Sequence, residues 1–172
     1  KETEDVISAT GPTEVKDGEK VPKYGTIHCE AVTSDGTDLK SLDIGGQGKL
    51  TVTGLYHGIK AKNIEVKGKV TLNVTGSDKG SCINCKDFLV DEGKEVTLNL
   101  SNSKNGIKAD NTITILSGKL NLKNLSVGLK TDTSEDDKPG ETKTHSITLK
   151  NCEEKLSSVT TEYETEEKGF TR

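Results

Sequence analysis

The chain has 172 residues, 24 basic against 28 acidic side chains, a net charge of −4 and 29% apolar residues, which fits one thin-cored domain and argues against a two-domain enzyme. Arg172 is the only arginine, so the guanidinium forks that read bases and phosphates are missing and nucleic acid is not an expected partner. No apolar run approaches the length of a membrane span, so no membrane insertion is expected, and Lys1 opens the chain without Met or a signal core, as in a processed or trimmed piece.

In chain order, residues 1–24 are charged and carry Pro12 and Pro22, as in a polar lead-in or linker. A first turn is expected over 26–44, from Thr26-Ile-His-Cys29 and from Leu39 to Ile44. Four blocks then align without a gap: HGIKAKN at 57–63, SCINCKD at 81–87, NGIKADN at 105–111 and VGLKTDT at 127–133. Their anchors Ile59, Ile83, Ile107 and Leu129 fall 24, 24 and 22 residues apart. Alternating segments precede the blocks, Leu50-Thr-Val52, Val70-Thr-Leu72, Val96-Thr-Leu98 and Leu120-Asn-Leu122, and others follow them, Ile64-Glu-Val66, Phe88-Leu-Val90 and Ile113-Thr-Ile115. Each period therefore carries short strands with one apolar side.

A unit of that length cannot bury its apolar face alone, so successive repeats must stack. The expected fold is all-β: a right-handed, single-stranded parallel β-helix, a solenoid of about five to six coils, over 25–152. Gly76, Gly80, Gly93, Gly106, Gly118 and Gly128 stand between strands, where corners need positive φ or close backbone approach. A leucine-rich repeat shares the period, but its pattern begins at Leu39-x-x-Leu42-x-Ile44 and does not recur with the required Asn. The acidic segment 132–144 reads as a loop inserted before the strand Ser146-Ile-Thr-Leu149, and the Glu-rich 153–172 as a terminal cap or tail.

At the four blocks, best at 58–62 and 106–111, the chain resembles a family of secreted, largely bacterial carbohydrate-binding proteins built as short right-handed parallel β-helices. That family's repeats read roughly D-G-I-K-[SA]-[KD]-[DN], and its fold is similar to that of pectate and polysaccharide lyases. The resemblance implies binding of plant polysaccharides, acidic ones among them, and of calcium, at an extracellular or cell-surface location. The family's Asp before Gly is His57, Ser81, Asn105 and Val127 here, and Cys82 stands at a Gly position.

Stacking in this register puts Lys60, Asn84, Lys108 and Lys130 in one column and Lys62, Lys86, Asp110 and Asp132 in the next but one, about 4.8 Å apart per coil. Lys60, Lys62, Lys86, Lys108 and Lys130 are the candidate carbohydrate-binding residues, because mobile ammonium groups suit carboxylates along an irregular chain. The plainer alternative is that corner lysines only keep the solenoid soluble. Asp87, Asp110 and Asp132 are candidate calcium ligands, with Asp136 and Asp137 further along; solvated turn aspartates are the alternative, and Lys86 paired with Asp110 would remove the need for an ion.

Cys29, Cys82, Cys85 and Cys152 allow two disulfides or free thiols, with Cys82 able to bridge locally to Cys85, and Cys85 aligns with Ala61 and Ala109 at a small inward position. Tyr24 and Tyr56 are the only aromatics expected near outward positions, a weak platform for stacking sugars. Three sequons, at Asn73, Asn99 and Asn124, follow from abundant Asn and Thr as readily as from glycosylation. A lyase would need a lysine or other base titrating near neutrality, which a regular exposed column does not supply. The expected function is a non-catalytic extracellular module binding an acidic polysaccharide such as polygalacturonate. The alternatives are a structural stalk or adhesin fragment of a larger surface protein, and a polysaccharide lyase.

Overall fold

The structure is a computed structural model that describes residues 4–8, 13–16, 19–22, 25–33, 36–132, 145–165 and 170–171, with side chains at 25–29, 40–132, 145–165 and 171. Among the described residues there is no helix, and the strands stack in parallel as a β-solenoid of about four turns, with further rungs laid at either end.

Three parallel sheets form the walls. The first runs Glu4–Ser8, Gln47–Thr53, Lys69–Thr75, the start of Thr97–Ile115, the start of Gly118–Thr131 and Cys152–Glu164. The second stacks Ile27–His28, Ile59–Lys60, the first half of Ser81–Val90, and then the later parts of the same long strands. The third stacks Leu42–Ile44, Asn63–Val66, the second half of Ser81–Val90, the end of Thr97–Ile115, Ser146–Leu149 and Phe170–Thr171. Two antiparallel hairpins, Thr13–Lys16 with Glu19–Pro22 and Glu30–Thr33 with Gly36–Leu39, branch from the early chain. Residues 4–22, read from sequence as a lead-in, thus contribute one rung and one hairpin. The loop expected at 132–144 lies, from 133 onward, outside the described residues.

The core is the stack of inward side chains. Ile59, Ile83, Ile107 and Leu129 pair rung to rung and are each 0% exposed, as the repeat spacing predicts. Phe88, Leu72, Leu98, Leu100, Leu120 and Leu122 fill the other two walls. Extended backbone puts successive side chains on opposite faces, so one alternating pattern per strand suffices to build a wall with an oily inside and a polar outside. The tight interior fixes the corner glycines: a Cβ on Gly106 would lie 2.5 Å from the Gly128 carbonyl oxygen of the next coil, closer than real contacts allow.

In the first sheet Leu50 pairs with Leu72, Leu72 with Leu98, and Leu98 with Leu120, a register that lining up the alternating segments end to end would miss by two residues at either end. A slip of two residues keeps every side chain on its expected face and only changes which columns form. The outward columns become Lys49–Thr71–Thr97–Lys119–Glu153 and Thr51–Asn73–Asn99–Asn121–Lys155.

All four cysteines are free thiols. Three residues of extended strand separate the Cys82 and Cys85 α-carbons by about 10 Å, too far for a disulfide. Cys82 Sγ instead donates to the Ser101 carbonyl at 3.5 Å, and burial pushes its thiol up to about 12. Cys85 fills the small inward position expected of it.

Candidate functional site

The lysine column forms at the outer edge of the second sheet, where the chain leaves each rung for the corner leading to the third. Cα pairing runs His28–Lys60–Asn84–Lys108–Lys130–Glu164. Inward Ile59, Ile83, Ile107 and Leu129 fix it, since the residue after each buried anchor must point outward. The neighbouring corner column is built by backbone bonds, Lys62 N–H to Lys40 O at 2.8 Å and Lys86 N–H to Lys62 O at 2.7 Å. Lys40 is an addition to the expected set. It stands 22 residues before Lys62, within the repeat period, and could have been found from that spacing.

A β-bulge interrupts this corner: between Cys85 and Asp87 the pairing shifts, so that Asp110 and Asn111 together oppose Lys86. The bulge divides the column electrostatically. Beyond it, the Asp132 carboxylate lies 3.6 Å from Lys108 Nζ and 3.4 Å from Lys130 Nζ, and Glu164 Oε1 lies 2.5 Å from Lys130 Nζ. The hydrogen bond that Lys130 donates to Glu164 and the charge of Asp132 outweigh desolvation and hold the Lys130 ammonium above its usual proton affinity. Before the bulge, Lys60, Lys62 and Lys86 are half-buried and make no ion pair among the described residues. The five candidate lysines thus share one edge of the solenoid, but only three present uncompensated charge.

The candidate metal ligands are drawn into other work. Asp87 accepts from Thr112 Oγ1 at 2.7 Å and from Asn111 Nδ2 at 3.2 Å. Asp132 is held between two ammonium groups. Among the described residues no three of His, Cys, Asp and Glu gather as a group able to hold an ion. Calcium takes six to eight oxygen ligands, so a site here would need donors beyond Asp87, Asp110 and Asp132. Asp136 and Asp137 lie outside the described residues.

Nor do the described residues at this edge offer an aromatic platform. Tyr56, expected near an outward position, is buried with its ring 4.2 Å from that of His57. Tyr24 lies outside the described residues. A ligand at the lysine edge would meet charge and hydrogen-bonding groups: three ammonium groups around the Asn84 amide.

Residues 61–161, more than half of the chain, match a family described as "Carbohydrate-binding domain-containing protein". The chain belongs to that family. Searches of curated proteins and of solved structures find no match. Membership supports a carbohydrate-binding role for this carbohydrate-binding domain and gives carbohydrate as the partner class. The matched span begins one residue after Lys60 and contains Lys62, Lys86, Lys108, Lys130 and all three candidate aspartates. No helix among the described residues is long and apolar enough to cross a membrane.

Proposed function

We propose that this carbohydrate-binding domain holds an acidic polysaccharide, with polygalacturonate as the reference ligand, along the edge formed by Lys40, Lys60, Lys62 and Lys86, and that it does so outside the cell without catalysis. One observation carries the reading: among the described residues Lys60, Lys62 and Lys86 keep three cationic groups on adjacent rungs out of ion pairs, while the same columns above the bulge are neutralised within the protein. Uncompensated ammonium groups about 4.8 Å apart per rung suit carboxylates repeated along a polymer. A non-catalytic role is supported by the match to a carbohydrate-binding family.

The test is retention on an acidic-polysaccharide affinity gel. Lys60→Ala with Lys86→Ala should elute at markedly lower salt than the wild type, whereas Lys108→Ala, already paired with Asp132, should shift little. Screening should shorten every retention as salt rises. Retention indifferent both to the double substitution and to salt would favour a structural stalk or adhesin segment. Unsaturated uronate absorbance on incubation with pectate would overturn the non-catalytic reading.

A further inference from the structure

A second cationic feature lies on another side of the solenoid, across the third sheet from the lysine edge. A cleft of about 730 Å³ follows the entry to the first sheet, lined from five successive rungs by residues that include Lys49, Lys69, Lys94, Lys119, Glu95 and Glu153. With rungs about 4.8 Å apart it extends about 19 Å along the axis. Gly118, in its lining, has φ +106°, and a Cβ there would lie 2.4 Å from the Val96 carbonyl oxygen, so no side chain fits at that point.

Three of the lysines are engaged: Lys69 pairs with Glu95 and Lys119 with Glu153, both at 3.2 Å, and Lys49 has an interaction of its own. Lys94 is not, and makes no ion pair among the described residues. It is also held in place. Ser117, one coil on, accepts from the Lys94 N–H at 2.9 Å and donates to the Asp91 carbonyl at 2.7 Å, clamping the turn 91–94. A long, polar, net cationic trough with hydroxyls at Thr71 and Thr97 matches a linear anionic chain better than a compact ligand. The ion pairs at its rim are exposed and therefore exchangeable for a ligand carboxylate.

We propose that this cleft is a second binding site for an anionic polysaccharide, so that one domain engages two chains, or two stretches of one chain, at separate faces. The ligand class rests on the function proposed above, while the site itself does not share residues with the lysine edge. Two sites per domain would let it bridge polymers and gain avidity without new contacts.

Titration calorimetry with a short oligogalacturonate separates the two ideas, using the whole chain, Lys69→Ala with Lys94→Ala, Lys94→Glu, and Lys60→Ala with Lys86→Ala. The wild type should bind about two oligomers per chain and each site variant about one, with unchanged circular dichroism throughout. Wild-type protein should also raise the turbidity of long polygalacturonate, and the Lys94→Glu protein should not. A single wild-type site that survives in both cleft variants and disappears in the edge variant would overturn the cleft and leave the edge standing. A single site lost in the cleft variants alone would keep the cleft and overturn the edge. Absence of any heat or turbidity would overturn both.

Discussion

A repeated lysine looks uniform in sequence, yet its members differ in kind once folded. Lys60 and Lys130 occupy the same column, but Lys130 is 22% exposed and bridges Asp132 and Glu164. The Glu164 partner could not be anticipated, because it arrives from a strand read only as an acidic cap. The pairing has a pH signature. The Lys130 proton is held more tightly in the folded chain than in the unfolded one, where a lysine titrates near 10.4. Its stabilisation is therefore complete below about pH 10 and is lost as pH climbs through the raised folded value. Melting curves from about pH 9 to about pH 12 should show the wild type ahead of Lys130→Met at the lower end and the gap closing toward the upper end. A gap that stays constant over that range would remove the pairing from the account.

At the scale of the strand, the strongest lateral device is an amide ladder on the outer face of the first sheet. Asn73 Nδ2 donates to Thr51 Oγ1 at 3.1 Å, Asn99 Nδ2 to Asn73 Oδ1 at 2.7 Å, and Asn121 Nδ2 to Asn99 Oδ1 at 2.7 Å. Asn99 both donates and accepts, so Asn99→Ala should strip two half-buried amides of partners and cost about 1 to 3 kcal/mol, read as a lower urea midpoint at constant slope. Asn124→Ala, whose exposed amide donates only to Asn102, should cost clearly less; equal losses would sink the ladder argument. The same amides explain why sequons at Asn73 and Asn99 carry little weight, since their nitrogens are already engaged within the sheet. The ladder was hidden in the sequence by its intervals of 22 and 26 residues. The four-residue turns at 77–80 and 91–94, anchored by Ser103 and Ser117, both fall in the longer interval and absorb the difference. Inward faces were legible because alternation survives such slips, and the even spacing of the blocks also gave the lysine column; the outward columns of the first sheet were not, because they need the register itself.

Across the whole molecule each coil touches only its neighbours, so stability should fall from the middle to the ends. Leu100 and Leu156 share one inward column, but Leu100 is covered from both sides and fully buried, while Leu156 on the last rung of that column is half-buried. Leu100→Ala should cost about 3 kcal/mol and Leu156→Ala much less. The same gradient bears on binding. The lysine edge begins at Lys40, on the first coil, and continues through Lys60 and Lys62 to Lys86, so an anionic chain lying along it would tie a terminal coil to better-packed ones. Ligand that binds only the intact stack lowers the population of frayed states by mass action. Amide hydrogen exchange over 42–53 should therefore slow on adding oligogalacturonate and recover its free rate when salt screens the contact. The far terminus, 152–164, lies beyond the bulge where the lysines are already paired, and should show the smaller change. Exchange that slows equally at both ends, or at neither, would mean that the chain does not lie along this edge.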